Sequence, residues 1–143
     1  MQALADKGAV QVTASAPGYA FETGNVALQP AGFVFATGDV TTTFFSTTTS
    51  LSVVPAVLDP DTFVPAIFGQ SVRGGLTVSV PVTSGTPAVG TIVGSPAVFS
   101  PGDAENVATA FMPLAVGTSV LTVGIPAGFS PSSTGGQITA TVQ

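Results

Sequence analysis

Apolar and polar residues alternate over short segments along the chain, with a period of two. Near the C-terminus, Leu121, Val123 and Ile125 fall on one face of an extended segment, the spacing expected of a half-buried β-strand. Pro126 ends this segment because it has no N–H to donate to a ladder. After a Gly/Pro/Ser loop, residues 137–142 alternate again. The pattern predicts a strand, a loop and a returning strand that close a domain.

The same pattern occurs near the N-terminus. Gly8 and Pro17 have the spacing of Gly117 and Pro126, and matching positions lie 109 residues apart. The separation rises to 114 residues at the end of the returning strand, residues 25–29, because the second loop is longer. An internal match at the distance of one domain is typical of a tandem array.

The repeat sets the predicted domain boundaries. Residues 1–32 are predicted to be the C-terminal hairpin of a preceding repeat, or a strand-donating segment. Residues 33–143 are predicted to form one complete β-sandwich. An isolated hairpin is only marginally stable in water, so this one is expected to need a partner.

About seven short strands, separated by turn residues, are predicted between residues 40 and 143. The clearest alternation is 76–82, with Pro81 expected where no ladder donor is needed, whereas 57–68 is predicted to be a loop rich in proline and aromatic residues. Many short strands with no helical periodicity predict an antiparallel two-sheet sandwich. The extra N-terminal β-hairpin completes an all-β chain.

The composition of the chain favours pairing of its exposed strand edges with other chains. Hydrophobic residues make up 45% of the chain and charged residues only 6%, where about a quarter is usual. Few charges leave strand edges poorly protected against pairing with other chains. The expected partners are therefore neighbouring repeats or identical subunits.

Charge and composition also exclude several functions. The net charge is −5, and Lys7 and Arg73 are the only basic residues, too few to neutralise a phosphate backbone, so nucleic-acid binding is not expected. Prolines and glycines interrupt the uncharged segment 106–143, so no membrane-inserted helix is expected. Cysteine is absent, which excludes disulfides and thiolate metal sites.

The sequence lacks the side chains that usually act as general base for a nucleophilic serine. Histidine is absent, and with it the usual general base. Lys7 lies outside the complete unit, so the many serines have no partner for a nucleophilic pair. Asp103 and Glu105 share one turn, where solvated carboxylates are a better interpretation than a glycosidase pair across a cleft. The chain is predicted not to be an enzyme and to need no cofactor.

Two segments allow both a functional and a structural interpretation. Asp59 and Asp61 are weak calcium candidates, because Ca²⁺ takes six to eight oxygen ligands and two carboxylates are too few. A proline-stiffened turn capped by Asp59 is the favoured alternative. Eight of the ten residues 41–50 are Ser or Thr, which suggests either an O-glycosylated spacer or, as favoured here, an edge strand.

Nine apolar residues are candidates for an interface with another unit. They lie on the N-terminal hairpin and in unusually apolar segments of the following domain, and they are Val10, Val12, Ala14, Phe33, Phe35, Phe44, Phe45, Phe63 and Phe68.

The sequence resembles the bacterial immunoglobulin-like domain family. The resemblance covers roughly residues 40–143, with residues 5–29 as a tail, and its motifs are structural turns and core positions. They are the Ser/Thr-rich first strand, Leu76–Val80, Pro87–Thr91, Pro113–Thr118 leading into Leu121–Val123, Pro126–Phe129, and Ala16–Tyr19 in the tail. The resemblance implies an immunoglobulin-like sandwich, repeated in extracellular or cell-surface proteins such as adhesins, with no chemistry of its own.

Three functional hypotheses follow. The first is a spacer or adhesin repeat that acts through tandem packing. The second is a subunit of an extracellular filament, in which residues 1–35 complete the sheet of a neighbouring subunit. The third is a carbohydrate-binding module for an unidentified surface ligand, which is disfavoured because the chain has no Trp and one tyrosine, Tyr19.

Overall fold

The computed structural model describes residues 7–143, and all regular structure in that range is β-strand. The predicted all-β class is therefore confirmed. The strands are β1 (Gly8–Ala14), β2 (Glu22–Leu28), β3 (Ala31–Phe35), β4 (Val40–Thr42), β5 (Thr49–Ser50), β6 (Val53–Leu58), β7 (Pro65–Phe68), β8 (Val78–Val80), β9 (Val82–Ser84), β10 (Gly90–Val93), β11 (Ala97–Phe99), β12 (Ala110–Pro113), β13 (Gly117–Val123) and β14 (Gln137–Val142).

The N-terminal hairpin, β1 and β2, is a two-stranded antiparallel sheet that pairs with no other strand of the described chain. The remaining strands, residues 31–143, are called the body here. Residues 1–6, the start of the predicted hairpin segment, lie outside the described residues.

The body is a sandwich-like arrangement of several small sheets. One sheet has the order β4-β14-β13-β9, and three others have the orders β10-β12-β5, β11-β8 and β3-β6-β7. Their inner faces share one buried cluster that includes Val40, Val80, Phe99, Phe111 and Leu121. The alternation seen in the sequence therefore marks the positions that face this core.

Pro81 is where the chain passes from one sheet to another. The predicted strand 76–82 is interrupted there, since β8 pairs with β11 whereas β9 pairs with β13. Pro81 has no N–H to donate, but its carbonyl accepts a hydrogen bond from the N–H of Gly124 (2.6 Å). A strand that changes sheets in this way joins the two layers of a sandwich.

Two expectations about the body are wrong, and one strand pair departs from the predicted antiparallel pattern. It contains twelve strands rather than about seven, because prolines and irregular pairings divide the predicted strands into short pieces. Among the described strands the departing pair is β14 and β4, which run parallel. The predicted loop 57–68 contains the end of β6 and all of β7, since its apolar residues form a ladder with β3 and with each other.

Phe33 and Phe35, two of the interface candidates, belong to the core. Both rings are buried, and the Phe33 ring packs on the rings of Phe99 and Phe129 at centroid distances of 5.0 and 4.8 Å. Aromatic pairs at such distances stabilise a core beyond the area that they bury. In this structure neither residue is accessible to another unit.

Candidate interaction surface

The N-terminal hairpin and the C-terminal hairpin of the body have the same strand register. Gly8 lies opposite Leu28 in the first, and Gly117 lies opposite Val142 in the second. From these pairs the two ladders run in step, so that each residue of β1 has its counterpart 109 positions later in β13. We refer to β13 and β14 as the closing hairpin, because its inner face completes the core of the body.

The turns that follow β1 and β13 also correspond. Gly18 and Gly128 both have φ of 83°, a left-handed conformation that glycine adopts without strain. The N–H of the next residue closes each turn: Tyr19 donates to the carbonyl of Ala16 (3.1 Å), and Phe129 donates to that of Pro126 (3.2 Å). The structural match thus extends from the strands into the loops.

The two hairpins differ in what covers their apolar faces. In the closing hairpin the inward residues Ser119, Leu121, Val123, Ile138, Ala140 and Val142 are all buried. Their counterparts in the N-terminal hairpin are Val10, Val12, Ala14, Gly24, Val26 and Leu28. Val10 and Val26 are 45% and 43% exposed, and none of the six is buried. One face of the N-terminal hairpin is therefore apolar and uncovered.

The outer edges of the two hairpins differ in the same way. β9 pairs with the outer edge of β13, and β4 pairs with the outer edge of β14. Within residues 7–143 no strand pairs with the outer edge of β1 or β2. Such edges present unpaired N–H and C=O groups that another strand can use.

The interface candidates lie in three places. Val10, Val12 and Ala14 share the apolar face of the N-terminal hairpin, whereas Phe33 and Phe35 lie in the core as described above. The other four are at least partly exposed on the body and are Phe44, Phe45, Phe63 and Phe68. The structure therefore does not bring the nine residues together into one surface.

Phe44 and Phe45 form an exposed aromatic pair beside the end of the closing hairpin. Their rings are 5.4 Å apart in an edge-to-face arrangement, and the Phe45 ring is 92% exposed. The N–H of Phe44 donates to the carbonyl of Gln143 (2.9 Å). The Ser/Thr-rich segment around them begins and ends in the edge strands β4 and β5, as favoured from the sequence, and turns between them.

Phe63 lies in the turn that joins β6 to β7, and Phe68 is the last residue of β7. Phe63 has φ of 57°, which is uncommon for a residue other than glycine, and its carbonyl accepts from the N–H of Ser133 (3.0 Å). Val64 and Ile67, which sequence analysis did not select, are exposed beside them. In the N-terminal hairpin, Val26 of β2 is also exposed and lies opposite Val10. The alternation of apolar and polar residues along β2 could have identified it.

Asp59 caps the turn that follows β6. Its Oδ1 atom accepts hydrogen bonds from the Thr62 N–H and hydroxyl, both at 2.8 Å, and from the Asp61 N–H at 3.1 Å. The Thr62 N–H first, then its hydroxyl and the Asp61 N–H, hold the pKa of the Asp59 carboxyl below its ordinary value of 3.8. This is the capped turn favoured from the sequence. In residues 7–143 no group of three or more His, Cys, Asp or Glu side chains is placed to hold a metal ion.

The other acidic pair considered for chemistry also has structural partners. The Asp103 carboxylate accepts from the N–H of Ser100 (2.7 Å), and the Glu105 carboxylate accepts from the hydroxyl of Ser52 (2.6 Å). A surface depression between the β13–β14 loop and Phe33 is lined by no titratable side chain. Within residues 7–143 both carboxylates therefore have hydrogen-bond partners of their own.

Comparisons with known proteins give one structural similarity. The crystal structure of domains 4 and 5 of the S-layer protein SbsC matches with a TM-score of 0.49 at 15% sequence identity. The match covers 95% of this chain and 65% of the SbsC chain, so this chain spans less than two thirds of the length of the SbsC structure. No protein-family model matches the sequence, and no curated protein matches it. The immunoglobulin-like family therefore stays a prediction.

Residues 7–143 contain no helix that is both long enough and apolar enough to cross a bilayer.

Proposed function

We propose that this chain is a non-catalytic structural module of an extracellular or cell-surface protein, and that it acts as a spacer or adhesin repeat in a tandem array. One observation carries the proposal: the hairpin that completes the body recurs, in the same register, directly ahead of the body. Two copies of a closing element in one chain are expected where whole domains repeat. The extracellular location follows the family resemblance of the sequence.

The course of the chain through the body supports an end-to-end arrangement. The chain enters the body at Ala31, whose carbonyl accepts from the N–H of Ser130 in the loop before β14. It leaves at Gln143, which follows β14. The two points thus lie at opposite ends of β14, as a repeat that spans distance requires.

The parallel pairing of β4 and β14 suits a module under tension. Pulling the two ends of the body apart loads the β4–β14 hydrogen bonds in shear, because the strands run in the same direction and are drawn in opposite directions. These bonds must then break together rather than one after another. Asp39 adds a further link across the pair, since its Oδ1 accepts from the N–H of Thr139 (2.7 Å).

Single-molecule stretching of the chain between two reference domains tests this proposal. We expect one cooperative unfolding event for the body, with a gain in length of roughly 300–400 Å, because an extended chain spans at most about 3.3–3.6 Å per residue. Extension of residues 31–143 without a resisting event would reject a load-bearing module.

A second candidate function is a filament subunit that pairs with its neighbour through residues 1–35. The open outer edges of β1 and β2 favour it, since exposed edges recruit strands from other chains. Light scattering after size-exclusion chromatography separates the two candidates. A concentration-dependent polymer is expected of a filament subunit, whereas a strictly monomeric folded chain rejects it.

A further inference from the structure

We propose that the N-terminal hairpin closes the sandwich of a different unit of the same architecture, one that lacks a closing hairpin of its own. We call that unit the acceptor; its strands correspond to β3–β12 of this chain, residues 31–116. The inference rests on the proposed function and adds to it the identity of the docking partner, the face that docks and the strand register.

The closing hairpin of the body already has the packing that we propose for the N-terminal hairpin. The closing hairpin presents its inward residues to the core cluster that contains Leu51, Val80 and Phe111. The corresponding six residues of the N-terminal hairpin are apolar without exception, whereas most residues of its outward face are polar. A two-stranded sheet is only marginally stable alone in water, and it becomes stable when an apolar face such as this one is buried.

The outer edge of β1 should receive an antiparallel strand equivalent to β9. In the body, the carbonyl of Val120 accepts from the N–H of Gly85 (2.8 Å) and the N–H of Gly124 donates to Pro81 (2.6 Å). Since alternate residues of a strand point their backbone groups to the same edge, the corresponding groups belong to Gln11, Thr13 and Ser15.

The outer edge of β2 should receive a parallel strand equivalent to β4. In the body, the N–H of Gln143 donates to the carbonyl of Thr42, and the N–H of Thr139 donates to Asp39 (2.9 and 2.7 Å). The corresponding amides of the N-terminal hairpin belong to Asn25, Ala27 and Gln29. Docking should therefore protect two defined sets of amides, one on each edge.

Side-chain sizes indicate that the acceptor is a related unit rather than a second copy of this body. Gly24 stands where the closing hairpin has Ile138, and Ala14 stands where it has Val123. In the opposite sense, Val10 stands where it has Ser119. Because cores are packed closely, the acceptor should carry bulkier side chains opposite Gly24 and Ala14 and more room opposite Val10.

Hydrogen exchange on a tandem fusion tests the proposal. Residues 31–116 are placed ahead of residues 8–143, so that Val116 is followed by Gly8 as it is normally followed by Gly117. Two versions are made: the natural hairpin, and one refitted to this body with Val10→Ser, Ala14→Val and Gly24→Ile. In the refitted fusion we expect the amides of Thr13 and Ala27 to exchange roughly a hundredfold more slowly than in the 143-residue chain, because they join a cooperatively folded sheet.

Two matched substitutions assign any protection to the predicted face. Val12→Asp should abolish the slow exchange, because it places a charge where Leu121 is buried in the body. Gln11→Asp should retain it, because Gln11 corresponds to Val120, which is 46% exposed. Unprotected amides in both the natural and the refitted fusion would overturn the proposal. So would protection of the same amides in the 143-residue chain as it dimerises, which would make the partner a second copy.

The two proposals fail separately. The stretching measurement concerns the body alone and does not depend on what the N-terminal hairpin binds. A body that resists force together with a fusion that shows no protection would reject the docking partner and leave the structural module in place.

Discussion

Val12 and Leu121 occupy the same register position in two hairpins of one chain, and only Leu121 is buried. Leu121 is 0% exposed and lies opposite Ile138, whereas Val12 is partly exposed and lies opposite Gly24. The difference arises from the surroundings, because the strand pairing is the same.

Gly90 should not tolerate a side chain. A Cβ atom there would lie 2.2 Å from Cζ of Phe111 and 2.7 Å from the carbonyl oxygen of Met112, and Phe111 is fully buried. Gly90→Ala is expected to lower the free energy of unfolding by about 2–3 kcal/mol through overpacking. Gly38→Ala, where a Cβ meets no atom within 4 Å, is the control in urea denaturation. Equal midpoints for the two variants would contradict this packing.

Ser119 should be important for stability because it is buried and fully hydrogen-bonded. Its hydroxyl accepts from the N–H of Thr86 (3.0 Å) and bonds to the Ser84 hydroxyl (2.8 Å), which donates to the carbonyl of Gly90 (2.6 Å). Ser119→Ala leaves the Thr86 N–H without its acceptor, at a cost of about 1–3 kcal/mol. Thr118→Ala, on the exposed face of the same strand, should change stability by less than about 0.5 kcal/mol. A Ser119→Ala variant as stable as the control would argue against the network.

Asp59 should titrate below its ordinary range. Hydrogen bonds from Thr62 and Asp61 favour the charged carboxylate and lower its pKa from 3.8. A folded-state pKa below the unfolded one means that this turn contributes stability above the unfolded pKa, and that the contribution is lost as the pH falls through the folded pKa. NMR titration should give a midpoint below 3.8 that moves part of the way back in Thr62→Val. A midpoint at or above 3.8 in the unaltered chain would refute the capped turn.

Much of the fold and of the candidate surface follows from alternation in the sequence. It identifies the strands around Leu121 and Ile138, and the spacing from glycine to proline identifies the N-terminal hairpin as their counterpart. The Asp59 turn is also predictable, because its bonds reach only two and three residues along the chain.

Other features depend on tertiary contacts that carry no local pattern. The three-residue strand β4 pairs with β14 about 100 residues later, and so short a segment gives no periodicity. Phe33 and Phe35 belong to a continuous apolar run, which fits a buried strand and an exposed patch equally well. The division at Pro81 depends on which sheet each half joins.

The exposed aromatic pair on the body should affect association rather than stability. Phe45 is 92% exposed, so Phe45→Ser is expected to change the unfolding free energy by less than about 0.5 kcal/mol. It should also reduce self-association, because a large exposed apolar side chain favours contacts between molecules. Light scattering over a range of concentrations checks the second expectation, with Thr47→Ser in the same exposed segment as the control. A marked loss of stability in Phe45→Ser would show that the ring is packed.

The most direct test compares Leu121→Ala with Val12→Ala in the 143-residue chain by urea denaturation. If the N-terminal hairpin closes a unit other than this body, Leu121→Ala lowers the free energy of unfolding of the body by about 2–5 kcal/mol. Val12→Ala then leaves it unchanged within about 0.5 kcal/mol. Comparable losses in both variants would mean that Val12 belongs to the core of this body, and would contradict the account.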